Sequence, residues 1–181
     1  MESVGTAIGS YAPDFELPGV DGEVHHLARY LERYKAVGVV FMCNHCPYVG
    51  YYLDRLKQVQ TDFQAQGFTL IGINPNDAEQ YPADGFEPMK AFATEKDLNF
   101  PYLRDVTQDV AQTFGAAKTP QIFLLNQQGK LCYVGAIDDN AQDPGAIKQQ
   151  YLRGAIDQVL QGQAPSPAST EPVGCSVKWR Q

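Results

Sequence analysis

The chain has 181 residues, 44% of them hydrophobic, and a formal net charge of −7. That size supports one well-buried core, and the acidic balance argues against nucleic acid or an anionic membrane surface as partner. There is no apolar run of membrane-spanning length and no charged start followed by a hydrophobic stretch, so a cytoplasmic protein is expected.

Residues 1–11 read as an irregular lead-in. Ala12 to Leu17 alternates like a short strand, Pro18-Gly19-Val20-Asp21-Gly22 is turn chemistry, and Glu23 to Leu27 returns as the second arm of a hairpin. His25 and His26 are read as exposed polar positions on that hairpin, since no Cys or acid at ligand spacing accompanies them. Leu27 to Tyr34 is a short helix, and Val37 to Phe41 has the β-branched content of a buried strand.

Cys43-Asn44-His45-Cys46-Pro47 then lies where that strand gives way to a long helix carrying Val49, Tyr52, Leu53, Leu56, Val59 and Phe63 on one face. Gln66-Gly67 stops the helix, and Phe68 to Ile73 is a second buried strand. Strand, helix, strand at this length implies a right-handed crossover between parallel strands. Asn74 to Pro88, rich in Asn, Asp, Pro and Gly, is a long loop at the carboxyl end of that strand, where ligands of open α/β sheets bind; a solvated surface excursion is the alternative. Helices follow over 88–98 and 105–114, with the extended piece Phe100 to Leu103 between them.

Thr119 to Leu125 is a strand entered through Pro120. Asn126-Gln127-Gln128-Gly129 turns it into a second strand over 130–137, and residues 144–160 form the last helix. Residues 162–174 read as a Pro/Ser/Ala linker, and the tail from Cys175 to Gln181 carries the only Trp, Trp179, which predicts that it docks back on the domain. The expected organisation is one domain over 1–161 with a linker and docked tail over 162–181. Fully extended, the linker spans up to ~40 Å, enough for Cys175 to reach the Cys43 region.

Two cysteines at a helix start point to redox chemistry. Unsatisfied N–H groups and the positive end of the helix dipole favour thiolate, the reactive species. The first cysteine, ordinarily the more exposed, attacks a disulfide and the second resolves the mixed disulfide, which makes Cys43 the nucleophile and Cys46 the resolver. His45, if cationic, stabilises the thiolate further; a solvent-facing position is its bland alternative. Thr119-Pro120 in cis form would bring its backbone beside the cysteines. Zinc would need ligands that Cys43, His45 and Cys46 are too close together to supply, so neither metal nor cofactor is expected. Cys132 is read as an inert buried thiol, and Asp138 and Asp139 as turn formers at least as readily as reactive acids.

These features together resemble the thioredoxin superfamily in its AhpC/TSA branch. The segments FMCNHCPYV, NPNDAEQYPADGFEPMKAFA, FPYLRDVTQDVAQTFGAAKTP, GAIDDN and GCSVKW are similar to the peroxiredoxin-like 1 group over nearly the whole chain. The resemblance implies an α/β thioredoxin-like fold with a central mixed sheet flanked by helices, an N-terminal hairpin and a C-terminal tail. It implies a thiol–disulfide oxidoreductase, or else an antioxidant thiol peroxidase with Cys175 as resolving thiol, or a non-enzymatic redox sensor. Its partners would be protein or small-molecule disulfides or peroxides and a thiol reductant.

The chain departs from the pattern at several positions. Aligned on Cys43, Val40 stands where peroxiredoxins carry Thr, and aligned on Cys46, Cys43 takes that place; residues 119–123 contain no Arg, and apolar Val37 replaces the buried Asp of thioredoxins. Lys118 stands where relatives often have Cys, and is read either as a cation holding the Cys43 thiolate or as solvated.

Overall fold

The computed structural model describes residues 5–181. β1 (Glu16–Pro18) and β2 (Val24–His26) make the antiparallel N-terminal hairpin, with Glu16 opposite His26. α1 (Leu27–Arg33) leads into β3 (Ala36–Phe41), and α2 (Pro47–Phe63) crosses to β4 (Phe68–Asn74). Gly67 ends this helical stretch in the left-handed region, at φ 96°, which a residue with a Cβ adopts only at a cost. Then come α3 (Phe86–Glu95), β5 (Tyr102–Arg104), α4 (Asp109–Phe114), β6 (Lys118–Thr119), β7 (Gln121–Asn126), β8 (Leu131–Gly135), α5 (Tyr151–Leu160) and β9 (Cys175–Ser176).

The central sheet has the order β5-β4-β3-β7-β8, with β3, β4 and β5 parallel and β7 and β8 antiparallel. It is covered on both faces, which is why β3 and β4 read as unbroken apolar runs rather than alternating ones. Ala36 and Val40 face α2 and α5, packing with Leu56, Leu70, Ile122, Leu152 and Ile156. Val37, Val39 and Phe41 face the hairpin, α1 and α4, packing with Phe15, Leu27, Ile71, Phe114 and Phe123. Val37 is wholly enclosed in that second layer, where a carboxylate would have no partner. Among the described residues no helix is long and apolar enough to cross a membrane.

Three segments differ from the sequence-based expectation, each for a local reason. The helix expected over 144–160 starts only at Tyr151. Residues 144–146 form a separate turn capped by Asp143, and Asp139 takes the Lys148 N–H at 2.9 Å, diverting backbone groups a helix would need. The helix expected from 105 starts at Asp109: Gln108 precedes it in the left-handed region at φ 68°, and Asp105, outside the helix, accepts from the Ala111 N–H at 2.8 Å. The 162–174 linker is partly docked: Val134 donates to the Ala168 carbonyl, Thr170 donates to the Val134 carbonyl, and the Ala136 N–H bonds the Thr170 hydroxyl.

The tail is held by its backbone. Lys118 and Thr119 pair with Ser176 and Cys175, and Val177 donates to Ala117 while its side chain is buried. The Lys178 carbonyl accepts from the Asp77 N–H and from Gln108 Nε2, whose Oε1 takes the Arg180 N–H. Trp179 itself stays 37% exposed, so it is the main chain and Val177, not the indole, that anchor this segment.

Candidate functional site

The cysteine turn is built from the carboxyl end of β3. Met42 donates its N–H to Ile73 at 2.9 Å, keeping the chain in the sheet for one residue beyond the strand. Cys43 then starts the turn, and Cys46 is the N-cap of α2 with Pro47 in the first helical position, where its missing N–H costs nothing. Cys43 is a free thiol and Cys46 is disulfide-bonded to Cys175, with the two Cα atoms 6.3 Å apart. The pair expected to close on itself is therefore split, and the third cysteine comes from the tail. Neither member of the pair is open to solvent: Cys43 is 1% exposed and Cys46 5%, which corrects the expectation of an exposed first cysteine.

Thr119 faces both sulfurs. The Thr119–Pro120 bond is cis, the Thr119 hydroxyl lies 3.6 Å from Cys43 Sγ, and its carbonyl oxygen lies 3.4 Å from Cys46 Sγ. Gln121 shapes this corner, its Oε1 accepting from the Ala117 and Lys118 N–H groups at 2.8 and 3.0 Å. Gly174 is required opposite Thr119, because a Cβ there would meet the Thr119 carbonyl directly. Lys118 is half-buried and its ammonium makes no ion pair among the described residues. Its contribution is the backbone pairing with Ser176.

The Cys43 thiol has its pKa raised, first of all by burial. The Thr119 hydroxyl and the Cys46 and His45 N–H groups lower it, and the charge of Asp84 raises it again. The helix-start donors expected to favour the thiolate are present, but desolvation outweighs them.

Asp84 is the site residue that sequence reasoning missed. It is wholly buried in the loop that follows β4. Asn44 N–H and Asn74 Nδ2 donate to one oxygen at 2.8 and 3.3 Å. Asn76 Nδ2 reaches the other at 3.0 Å, and His45 Nδ1 lies 2.8 Å from it. The composition of this loop gave the only signal, and it marked a place rather than a residue. His45 is held by that carboxylate and stacked on Tyr81 at 6.1 Å between ring centres, so it is not simply facing solvent. Donor atoms of Cys43, His45 and Asp84 lie within 4.8 Å of one another. Since N–H groups already fill both Asp84 oxygens, a cation there would have to displace them.

Other expectations resolve away from this site. Asp138 is no mere turn former: it is buried and takes Arg55 Nη1 on both oxygens, at 3.0 and 2.8 Å. Cys132 is half-buried in β8, 3.4 Å from the Lys130 carbonyl, and burial raises its pKa. His25 is bound on both sides, by Tyr30 at 2.7 Å and Asp21 at 3.0 Å, rather than exposed.

Residues 8–134 match the AhpC/TSA family. An uncharacterized conserved protein of Geobacillus kaustophilus has a crystal structure with TM-score 0.90 and 37% identity, covering 99% of this chain and 96% of that one. A hypothetical protein of Sinorhizobium meliloti 1021 gives TM-score 0.88 and 35% identity over 97% and 96%. The thiol-disulfide oxidoreductase ResA of Geobacillus thermodenitrificans is 27% identical over 130 residues, 72% of this chain and 70% of that protein. With its thioredoxin-like architecture and its thiol redox function, the chain belongs to the AhpC/TSA family of oxidoreductases.

Proposed function

We propose that the protein is a thiol–disulfide oxidoreductase that passes a disulfide between its CxxC pair and its tail. The observation that carries this reading is the Cys46–Cys175 bridge beside a free Cys43, with both sulfurs of the pair packed on Thr119. Cys43, as thiolate, attacks Cys46 Sγ. A Cys43–Cys46 bond forms, the Cys46–Cys175 bond breaks, and Cys175 leaves as thiolate and is protonated. The new Cys43–Cys46 disulfide oxidises a partner dithiol; run in reverse, the reduced pair cleaves a partner disulfide and a thiol reductant restores it.

Replacing Cys43 with Ser abolishes exchange with a model dithiol or disulfide substrate, while Cys132→Ser leaves it intact. Retained activity in Cys43→Ser would remove Cys43 from the reaction.

The bridge also favours a second reading, a thiol peroxidase. Here Cys46 is oxidised by a hydroperoxide to a sulfenic acid, releasing the alcohol or water, and Cys175 condenses with it, releasing water and forming the bridge. With Cys46 as the oxidised residue, Cys43 stands where peroxiredoxins carry Thr, and residues 119–123 contain no Arg, which leaves that chemistry without the usual polarising groups. Peroxide consumption supported by a thiol reductant and lost in Cys175→Ser is its test.

A further inference from the structure

The tail is gripped through its main chain. Lys118 and Thr119 of β6 pair with Ser176 and Cys175, and Val177 donates its N–H to the Ala117 carbonyl at 3.0 Å. Two buried amides continue the grip past that short ladder, Asn76 in the loop after β4 and Gln108 ahead of α4. Asn76 Oδ1 takes the Lys178 N–H at 2.9 Å, while Gln108 Nε2 and the Asp77 N–H reach the Lys178 carbonyl at 2.9 and 2.8 Å. Gln108 Oε1 takes the Arg180 N–H at 3.0 Å. None of these bonds uses a side chain of the tail. Only two tail positions are restricted in size: Gly174, where a Cβ would meet the Thr119 carbonyl, and Val177, which is buried in the layer that holds Phe114 and Ala116.

We propose that this groove is a polypeptide site with the tail as its built-in occupant, and that the partner is an extended segment of another protein with the pattern Gly-Cys-x-Val followed by a cation. The inference rests on the oxidoreductase reading and narrows its substrate. The Cys46–Cys175 bridge beside a free Cys43 is the arrangement that a mixed disulfide with such a segment would have. Starting from a Cys43–Cys46 disulfide, a partner thiolate attacks Cys46 Sγ, and Cys43 leaves as thiolate and is protonated. A second partner thiolate attacks the partner sulfur bonded to Cys46, and Cys46 leaves and is protonated in turn. The partner dithiol becomes a disulfide and the pair becomes a dithiol, with two electrons and two protons passing between them.

The chemistry of the groove suits a polypeptide better than a small-molecule disulfide. Its contacts continue to Arg180, and an extended chain covers about 16 Å between Cys175 and that residue. A small disulfide ends well short of Asn76 and Gln108. When the tail leaves, Asn76 Oδ1 and Gln108 Oε1 lose the N–H groups they accept from, and another main chain restores them. Gln108 keeps its place in the left-handed region, at φ 68°, a costly conformation for a residue with a Cβ. Lys178 and Arg180 are the only charged side chains of the tail in a chain of net charge −7, so a cationic segment complements the body it lies on.

The test is exchange kinetics on full-length Cys132→Ser/Cys175→Ser protein with the Cys43–Cys46 pair reduced. The probes are peptides of the sequence of residues 172–181 whose cysteine carries an aromatic thiol leaving group, with each rate divided by that of the same peptide with dithiothreitol. The protein's own tail competes equally with every peptide, so it cancels from their ratios. Ser in place of the Val, or Ala in place of the Gly, should slow the reaction about tenfold. Methylating the main-chain nitrogen of the Lys, which removes the N–H that Asn76 takes, should slow it about fivefold. In Asn76→Ala that last penalty should fall below about twofold, an effect that a merely structural asparagine would not produce. If Asn76→Ala fails to fold, the peptide series decides alone. Protein that reduces a small aromatic disulfide but treats all the peptides alike would overturn the proposal and leave the oxidoreductase reading standing. Protein that reacts with neither would overturn both. Oxidation of the unaltered protein mainly to a Cys46–Cys175-linked dimer would give the groove to a second copy and would also overturn the proposal.

Discussion

Replacing Cys175 with Ser removes the bridge to Cys46, and the consequence for stability follows from chain length. The two cysteines are 129 residues apart. Cross-linking so long a segment withdraws loop-closure entropy from the unfolded chain, roughly 5 kcal/mol in the chain-entropy account. A native protein has a total stability of only about 5–15 kcal/mol, so the bridge should dominate this one's behaviour in denaturant. With a urea slope of about 2–3 kcal/mol per molar, the midpoint should fall by roughly 2 M. The assay is urea unfolding followed by far-UV circular dichroism on oxidised protein, on dithiothreitol-reduced protein and on Cys175→Ser. Reduced protein should fall with the variant. Trp179, the only Trp, lies in the tail and reports its docking separately by fluorescence. Midpoints within about 0.5 M of one another in all three samples would refute the reasoning, because a bridge formed in the native state and absent from the comparison must stabilise through the unfolded ensemble.

Two further substitutions probe how the tail and the loop after β8 are held. Gly174→Ala places a Cβ against the Thr119 carbonyl and 3.1 Å from Pro120 N, both backbone groups with little freedom to move. Oxidation should then form the Cys46–Cys175 bridge at least tenfold more slowly, read by thiol trapping and mass spectrometry; an unchanged rate would show that the tail closes by another path. Arg55→Ala strands the buried Asp138, which loses both contacts to Nη1, and frees the Asn140 and Ala141 carbonyls that Arg55 bonds at 2.7 and 2.6 Å. The loss should be about 3–5 kcal/mol, lowering the thermal midpoint by about 10 °C, whereas a drop under about 3 °C would mean the pair contributes little.

The sheet and its helices were legible because their signals are local. The apolar run over 37–41, the helical spacing from Val49 to Phe63 and the stop at Gly67 each declare an element within a few residues. The cysteines at a strand-to-helix junction and the Thr-Pro before a hairpin were legible for the same reason. Asp84 was not, because nothing adjacent to it in sequence distinguishes it from the other acids of its loop. Its role comes from Asn44, His45, Asn74 and Asn76 converging in space. Residues 144–150 failed differently. Their composition allows a helix, but Asp139, folded back from the preceding turn, takes the Lys148 N–H first. Asp138 shows a third kind of miss, since a turn-forming residue in sequence became half of a buried ion pair with an Arg 83 positions away.

The location of the burial matters more to the chemistry than the CxxC motif itself. At an exposed helix start, N–H groups and the dipole would leave Cys43 largely as thiolate, reactive toward any disulfide that diffused by. Here the docked tail and the Asp84 loop close over the turn, and desolvation becomes the largest influence on the thiol. That burial favours the protonated form of Cys43. Breaking the Cys46–Cys175 bond removes the covalent hold on the tail, leaving the β6–β9 pairing, the Val177 side chain and the Lys178 and Arg180 backbone bonds to retain it. Each backbone bond contributes only about 1 kcal/mol net in competition with water. A tail held by so few of them should open more readily than the bridged one, and Trp179 fluorescence identical in oxidised and dithiothreitol-reduced protein would refute this.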